Sequence, residues 1–300
     1  MEVVIAGAGS IGLLLGSFFA EAGMNVTCYV RRTEQAQQIQ RDGIRRLNQD
    51  GTTSVFQAAA TTHIQELPQK ALWIVAVKYA GLRELLGDME RAGLNNPVLF
   101  VQNGIGHLAL VNDATLSDVA FATVEHGAQR IDGCTVKHNG IGMLTVASAR
   151  GNGQLFDTIG QLDSKNFPVS YHTNAEQILM RKVLINCMIN PLTAILEVEN
   201  GVLLTDAHCE SLFTSLYAEL IDAFPEMQAI LPYEAVADVC RRTARNRSSM
   251  LADRLARRPM EIETIVTAVR QRAQHRGKSL SLLGTFEQLL YAMDRRDTAL

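Results

Sequence analysis

The sequence predicts an α/β domain built on a parallel sheet, followed by an all-helical domain. In residues 1–172, short runs rich in β-branched residues alternate with helical segments, which is typical of parallel strands buried on both faces. From residue 173 onwards nearly every segment has helical periodicity instead. The chain has 300 residues, a length that suits two domains. We therefore expect domains at residues 1–172 and 173–300.

The composition is that of an ordinary globular protein. Hydrophobic residues make up 47% of the chain and charged residues 20%, a balance that excludes an intrinsically disordered protein. The net charge of −3 provides no general attraction to nucleic acid or to an anionic membrane, so neither is expected as a partner. The five cysteines are scattered without a CxxC or Cys/His cluster. This pattern predicts free thiols in a reducing compartment and no metal site.

The first strand and helix also raise the question of a membrane segment. Val3–Ala6 predicts a buried strand, and the helix after it extends to about Ala22, with Gly23 as its stop signal. Val3–Ala20 carries no charge and is long enough to span a bilayer. However, Glu2 stands where a signal peptide would have basic residues, and four glycines interrupt the stretch. We therefore expect a soluble, cytoplasmic protein.

The remaining elements follow from the same patterns. Further strands are predicted at Asn25–Val30, Leu72–Val77 and Val98–Val101, and the strand-like stretch Val119–Val146 predicts an antiparallel extension of the sheet. In the second half, Thr173 and Glu176 have the spacing of a capping box before a long apolar helix. Later helices are predicted at Phe213–Phe224, Tyr233–Arg247 and Pro259–Arg276, with Pro259 in the first turn of the last one.

A glycine-rich loop joins the first strand to the first helix. Gly7, Gly9 and Gly12 fit the pattern GxGxxG within Gly7-Ala8-Gly9-Ser10-Ile11-Gly12. In this context the glycines allow a tight turn, close approach of a pyrophosphate and close packing of the helix on the strand. The helix N-terminus stabilises the anion. The pattern predicts a Rossmann-type dinucleotide site, and a glycine turn without a ligand is the alternative.

The residues after the second strand favour NADP over NAD. An NAD site places an acidic residue there to bind the ribose hydroxyls. This chain has Arg31 and Arg32 instead, and no acid before Glu34. An arginine can form charge-assisted hydrogen bonds with a 2′-phosphate. The alternative is that both arginines are solvated charges at the start of a helix.

Two polar stretches follow predicted strands directly. Lys78 comes after Leu72–Val77, and Gln102–Gly106 comes after Val98–Val101. Open α/β sheets bind their ligands at the carboxyl ends of the strands. Together with the glycine loop, these residues outline a cofactor groove.

The long apolar helix of the second half carries a polar stripe. Lys182, Asn186 and Asn190 recur at i, i+4 and i+8, which places them on one face over about 12 Å. Buried amides and ammonium groups need hydrogen-bond partners. The stripe is therefore either an internal structural network or the wall of a polar cleft.

These motifs, taken together, resemble those of the ketopantoate reductases, the 2-dehydropantoate 2-reductases of pantothenate biosynthesis. The resemblance spans the whole chain, and its most specific part is Lys182-x-x-x-Asn186-x-x-x-Asn190-Pro191-Leu192-Thr193-Ala194. The other matching motifs are the Gly7–Gly12 loop with Arg31, Gln102–Gly106, Glu125-His126-Gly127-Ala128, Glu199-Asn200-Gly201, Ser248-Ser249-Met250-Leu251-x-Asp253 and Glu261.

The resemblance implies a Rossmann domain plus a helical domain, with the active site in the cleft between them. It implies that Lys182 protonates the substrate carbonyl while NADPH supplies the hydride. The implied substrate-binding residues are Asn103, Lys182, Asn186, Asn190, Asn200 and Ser249. The implied cofactor contacts are Gly7, Ala8, Gly9, Ser10, Ile11, Gly12, Arg31, Lys78, Asn103, Ala128 and Glu261. The oligomeric state is left open, a homodimer included.

The sequence is also compatible with two other functions. A relative in the same family could reduce another branched 2-oxo acid with the same cofactor chemistry. A protein of a different class could sense NADPH without turnover, although a sensor has no need of the proton donor that Lys182 would provide.

Overall fold

The computed structural model describes residues 1–298, and side chains as far as residue 294. The chain divides into two compact units. The first comprises Met1–Gln102 and His107–Ile178, and the second comprises Asn103–Gly106 and Leu179–Leu300. The first unit is α/β and the second is helical, so the predicted fold class is confirmed. The predicted domain limits at residues 172 and 173 stay a prediction.

The first unit contains all the strands of the described part of the chain. They are β1 (Glu2–Ala6), β2 (Asn25–Tyr29), β3 (Ile44–Leu47), β4 (Thr53–Phe56), β5 (Ala59–Thr61), β6 (Leu72–Val75), β7 (Val98–Phe100), β8 (Val119–Val124), β9 (Gly127–Arg130), β10 (Thr135–Gly140), β11 (Leu144–Arg150) and β12 (Val169–Tyr171). The helices of this unit are α1 (Ser10–Glu21), α2 (Thr33–Asp42), α3 (Leu82–Arg91) and α4 (His107–Asp113).

The strands form two sheets. The main sheet has the order β12-β11-β8-β7-β6-β1-β2-β5 and is parallel except where β11 pairs with β8. The antiparallel extension predicted for Val119–Val146 is therefore correct for β8 and β11. It is wrong for β9 and β10, which join β3 and β4 in a separate sheet of order β4-β3-β10-β9. β10 pairs with β3 across a long sequence separation that local patterns do not reveal, and β9 pairs with β10.

Helix α1 packs between the two sheets, contacting β1 and β2 on one side and β3, β9 and β10 on the other. This position explains why α1 is apolar almost all round, since both of its faces are covered. The consecutive residues Leu13, Leu14 and Leu15 and also Phe19 are fully buried, although they point in different directions around the helix. Ser17 is also buried, and its hydroxyl donates to the Leu14 carbonyl at 2.7 Å.

The regular elements of the second unit are all helices among its described residues. Its helices are α5 (Ala175–Leu196, which begins in the first unit), α6 (Val202–Thr205), α7 (Ala207–Ala223), α8 (Tyr233–Arg242), α9 (Ser249–Leu255), α10 (Ala268–His275) and α11 (Ser281–Thr298).

The start of α5 differs from its prediction. The capping residue is Asn174, whose side-chain oxygen accepts a hydrogen bond from the Gln177 backbone N–H at 3.0 Å. The predicted cap, Thr173, lies one position too early, because asparagine caps a helix at least as well as threonine does.

Three later helix ends also differ from their predictions. The helix predicted from Phe213 begins at Ala207, because the Asp206 side chain caps it by accepting hydrogen bonds from the His208 and Cys209 N–H groups. The helix predicted to end at Arg247 stops at Arg242, because the segment after it pairs its carbonyl groups with the backbone around Gly201. The helix predicted from Pro259 begins at Ile262, and Pro259 lies outside it. The Met260 N–H donates instead to the Asp294 carboxylate at 3.0 Å, so a tertiary contact determines where this helix starts.

Among the described residues, one helix, α5, is long and apolar enough by length and composition to cross a membrane. However, 78% of its most apolar window is buried inside the structure. The core helix of a folded protein has the same character.

Candidate active site

The glycine loop in the first unit has the geometry that its pattern predicts. Gly7 has a φ of +100°, a left-handed conformation that favours glycine. A Cβ atom at Gly12 would lie 1.9 Å from the Gly7 carbonyl oxygen, so only glycine allows α1 to approach the turn this closely. These two positions account for the tight turn and for the packing of helix on strand.

The middle glycine of the loop faces open space. A Cβ atom at Gly9 would meet no protein atom within 4 Å. Gly9 is also the N-cap of α1, and no side chain caps its first N–H groups. A phosphate group can therefore approach backbone donors at this point. The residues present thus fit the pyrophosphate of a dinucleotide.

Gln35, on α2, anchors the loop from behind. Its Nε2 atom donates to the Ala8 carbonyl at 2.9 Å and to the Gly133 carbonyl at 2.8 Å. Gln35 is only 7% exposed. No sequence pattern indicates Gln35 as a site residue, because a glutamine in a polar amphipathic helix is recognisable as an anchor only from its partners.

Two of the other cofactor residues predicted in the first unit, Arg31 and Lys78, follow strands of the main sheet, and the third, Ala128, lies on the second sheet. Gly7 N–H donates to the Tyr29 carbonyl at 3.0 Å, so β2 ends beside the loop, and the exposed Arg31 follows two residues later. Lys78 is exposed just beyond β6. Ala128 lies on β9, half-buried against the core that contains α1.

Gln102 connects two of these strand ends. Its Nε2 atom donates to the carbonyl groups of Val75 and Val77, at 3.0 and 3.2 Å. The carboxyl ends of β6 and β7 are therefore held together by a side chain. Its own Oε1 atom is buried without a hydrogen-bond partner among the described residues.

In the second unit, α5 carries the polar stripe of Lys182, Asn186 and Asn190 on one face. Lys182 and Asn186 are half-buried, and Asn190 is 4% exposed. The Asn190 Nδ2 atom donates to the Ser249 hydroxyl at 3.4 Å. The structure thus brings together two residues that are 59 positions apart and that were both predicted for the substrate site.

A second pair of side chains fastens α9 to α5 next to this contact. The Thr193 and Ser248 hydroxyls lie 2.7 Å apart, and the Ser248 hydroxyl accepts a hydrogen bond from the Leu251 N–H as the cap of α9. Both residues are buried. The position of Ser249 at the start of α9 is therefore fixed by its neighbour.

Asn103 and Glu261 also meet within the second unit. The Asn103 Nδ2 atom donates to Glu261 Oε2 at 3.2 Å. Both were predicted as cofactor contacts, and neither motif shows by itself that the two side chains would be hydrogen-bonded.

The side chain of Asn200, another predicted substrate residue, is hydrogen-bonded to a residue that was not predicted for the site. Its Nδ2 atom donates to the Thr243 hydroxyl at 2.9 Å. Its Oδ1 atom is buried and has no partner among the described residues. The Asn200 amide is therefore hydrogen-bonded through its nitrogen, and its oxygen is left as an acceptor without a partner among the described residues.

No metal site is found among the described residues, because no three His, Cys, Asp or Glu side chains are grouped closely enough to hold an ion. The polar groups assembled on the two units are amides, hydroxyls, a carboxylate and ammonium or guanidinium groups. Such groups can orient an anionic substrate with a carbonyl and can supply a proton to it.

Known proteins are similar to this chain over nearly its whole length. The family model "Ketopantoate reductase PanE/ApbA" matches residues 3–151, and the model of the C-terminal part of the same family matches residues 174–294. A 2-dehydropantoate 2-reductase of Listeria innocua is 33% identical over 298 residues, covering 98% of this chain and 97% of the relative. The 2-dehydropantoate 2-reductase of Bacillus subtilis is 33% identical over 279 residues, covering 92% of each chain.

Solved structures share the fold. A crystal structure of a probable 2-dehydropantoate 2-reductase from Bacillus subtilis superposes with a TM-score of 0.89 at 30% identity, covering 98% of this chain and 100% of that one. A D-mandelate dehydrogenase solved with NADH and anilino(oxo)acetate has a TM-score of 0.84 at 21% identity, covering 99% of each chain. At that identity the second likeness shows the fold alone.

The fold and these relatives together define an oxidoreductase with a Rossmann-type domain followed by a helical region. The family models and the full-length relatives identify which one. The chain belongs to the ketopantoate reductase family.

Proposed function

We propose that this protein reduces 2-dehydropantoate to (R)-pantoate with NADPH, as a cytoplasmic step of pantothenate biosynthesis. The observation that carries the proposal is the row of Lys182, Asn186 and Asn190 on a buried helix, with Asn190 hydrogen-bonded to Ser249. A row of buried and half-buried polar groups is costly for a helix that serves only packing. It is useful for a helix that binds a small polar molecule.

The two parts of the chain divide the work in this proposal. Residues 1–172 supply most of the cofactor contacts, and residues 173–300 supply most of the substrate-binding residues, the catalytic group and one cofactor contact, Glu261. The Gly7–Gly12 loop would bind the pyrophosphate through the N–H groups at the start of α1. Arg31 would bind the 2′-phosphate, and Lys78, Ala128, Asn103 and Glu261 would contact the rest of the cofactor.

Lys182 is proposed as the proton donor. When bound, NADPH supplies the hydride that reduces the C2 carbonyl of the substrate. Negative charge then develops on the carbonyl oxygen, and the Lys182 ammonium group stabilises it and transfers a proton from Nζ to that oxygen. Asn186, Asn190 and Ser249 would hold the carboxylate and the hydroxyl so that the carbonyl faces Lys182. Asn200 would contribute its free Oδ1 acceptor to a substrate hydroxyl.

The substrate assignment is tested with a panel of 2-oxo acids, following NADPH absorbance. We expect a much higher kcat/KM for 2-dehydropantoate than for 2-oxoisovalerate, which lacks the hydroxymethyl group. A site built to bond a hydroxyl can reject the analogue without it by up to about 10⁴-fold, because its own polar groups are left unpaired.

Comparable kcat/KM values for these two acids would favour the alternative of a reductase for another branched 2-oxo acid. NADPH binding without turnover of any acid in the panel would favour a sensing protein. Either result contradicts the proposed substrate.

A further inference from the structure

The helix that follows Glu261 begins with an unusual turn. Residues Glu263–Thr267 are π-helical and continue into α10. At the end of this π turn, the Ala268 N–H is shared between the carbonyl groups of Glu263, five residues back, and Ile265. The Ala268 N–H does not bond the carbonyl of Thr264, which would be its partner in a regular α-helix. The π turn therefore leaves the Thr264 carbonyl available to another donor.

That donor comes from the segment Asn103–Gly106. The Ile105 N–H donates to the Thr264 carbonyl oxygen at 2.9 Å. Gly104 has a φ of +77°, and a Cβ atom there would lie 2.0 Å from the same oxygen. The backbone at Gly104 therefore fits against the π turn only as glycine.

This backbone contact is adjacent in the chain to two predicted cofactor residues, Asn103 and Glu261. Asn103 directly precedes Gly104, and Glu261 lies two residues before the π turn. Their side chains are hydrogen-bonded at 3.2 Å. The contact between the segment and the turn thus fixes the backbone from which both side chains project.

The π turn has a second attachment, on α5. The thiol of Cys187 donates to the Ile265 carbonyl oxygen at 3.4 Å. Cys187 is fully buried and follows Asn186 directly on the helix. Burial raises the pKa of this thiol, so it remains protonated and able to donate at neutral pH.

We propose that the π turn at Glu263–Thr267 is a positioning element of the active site. Through Thr264 it holds the pair of Asn103 and Glu261, and through Ile265 and Cys187 it holds α5 with its row of Lys182, Asn186 and Asn190. In this role Cys187 and Gly104 are positioning residues that do not touch the reacting atoms. The inference rests on the proposed function for the roles of the residues that are positioned. Single π turns within α-helices are frequently found at functional sites.

The first test removes and then restores the donor at Cys187. Cys187→Ala should lower kcat/KM for 2-dehydropantoate about 5- to 10-fold at a temperature where the protein is fully folded, since a small displacement of positioned groups is costly for rate. Cys187→Ser keeps a donor of similar size and should return kcat/KM to within about twofold of the parent. If Cys187 only fills space, both variants lower the melting temperature and neither changes the kinetics of the folded enzyme. That result would overturn this part of the proposal.

The second test acts on the other attachment and uses cofactor binding as its readout. Gly104→Ala places a methyl group against the Thr264 carbonyl and should weaken NADPH binding at least about tenfold, as measured by fluorescence titration. Thr264→Val is the matched control. It removes a buried hydroxyl that has no partner among the described residues and leaves the backbone carbonyl in place. Thr264→Val should bind NADPH like the parent and melt at the same or a higher temperature.

The outcomes separate this proposal from the proposed function. A parent protein that binds NADPH but does not reduce 2-dehydropantoate contradicts the substrate assignment, while the Gly104→Ala titration still tests the π turn. Parent-like NADPH affinity in Gly104→Ala, or equal losses in Gly104→Ala and Thr264→Val, would refute positioning through the Thr264 carbonyl. A Gly104→Ala protein that fails to fold leaves the comparison of Cys187→Ala with Cys187→Ser to decide.

Discussion

Lys182 is the residue whose replacement tests the proposed chemistry most directly. Lys182→Ala should lower kcat by about 10²–10⁴, which corresponds to about 3–5 kcal/mol of transition-state stabilisation. NADPH affinity should change little, because the glycine loop lies in the other compact unit. The measurements are steady-state kinetics, NADPH titration and the melting temperature of the same protein.

The neighbouring amides and an unrelated lysine serve as controls for this variant. Asn186→Ala and Asn190→Ala should raise KM more than they lower kcat, as expected for groups that bind the substrate in its ground state. Lys137→Ala changes an exposed lysine on β10 and should leave the kinetics unchanged. A folded Lys182→Ala protein with nearly parental kcat would refute the assignment of the proton donor.

Arg31 should determine the choice between the two nicotinamide cofactors. We expect NADPH to bind at least about tenfold more tightly than NADH, since a charge-assisted hydrogen bond to the 2′-phosphate contributes about 1.5–3 kcal/mol. Arg31→Ala should remove most of this preference and leave NADH binding little changed. Titration of both cofactors checks this, with Arg32→Ala for comparison. Equal affinities in the parent protein would show that neither arginine selects the cofactor.

At the residue scale, the sequence shows which side chains share a helix face but not which residues they meet. The row on α5 follows from spacing alone, because residues at i, i+4 and i+8 must lie on one side. The bond from Asn190 to Ser249 and the bond from Asn103 to Glu261 depend on tertiary packing. The hydrogen bonds of Gln35 were equally unpredictable, since both of its acceptors are distant in sequence.

At the scale of elements, we expect one glycine of the loop to be needed for cofactor binding and another to be needed for folding. Gly9→Ala should leave the melting temperature nearly unchanged, since the added methyl group meets no protein atom within 4 Å. It should weaken NADPH binding, because the methyl group occupies the space through which a pyrophosphate would approach. Gly12→Ala should instead destabilise the fold, since its methyl group would collide with the Gly7 carbonyl.

Thermal melting and NADPH titration of the two loop variants test this separation. Parental NADPH affinity in Gly9→Ala would contradict a phosphate site at the loop. A parental melting temperature in Gly12→Ala would contradict the tight packing of α1 on the turn.

The elements themselves were largely predictable where strong periodicity or glycine patterns define them. Strand β1, the glycine loop, α1 and the long helix α5 follow from such patterns. The π turn does not follow from such a pattern, because it forms where the Thr264 carbonyl accepts a hydrogen bond from the distant Ile105 N–H and not from the next helical turn. The late start of the same helix, after Pro259, has a similar tertiary cause in the bond from Met260 to Asp294.

For the whole molecule, buried histidines should make stability depend on pH. Burial lowers the pKa of His107 to about 4, and burial together with the neighbouring His138 lowers the pKa of His126 to about 4. Both groups ionise near pH 6.5 when unfolded. As the pH falls below about 6.5, the unfolded chain takes up protons that the folded chain excludes until about pH 4. The free energy of unfolding should therefore decrease across this window.

Denaturant unfolding at several pH values between 7 and 4 measures this decrease. His107→Phe should reduce the decrease, because both ring nitrogens of the buried His107 lack partners among the described residues and phenylalanine cannot take up a proton. His172 is exposed, so His172→Gln should leave the pH dependence as it is. A free energy of unfolding that is constant from pH 7 to pH 4 would show that these histidines do not act in this way.

The segment Asn103–Gly106 has a consequence for the order in which the chain assembles. It lies between two stretches of the first compact unit, yet it belongs to the second. During synthesis Asn103 leaves the ribosome 158 positions ahead of its partner Glu261. Contacts that close so large a loop form late, because the chain must first lose the entropy of closure. The nascent α/β unit therefore has to fold while the partners of these four residues in the C-terminal helices have not yet been synthesised. A chain truncated before Glu261 would keep the glycine loop, but Asn103 would lack its carboxylate partner.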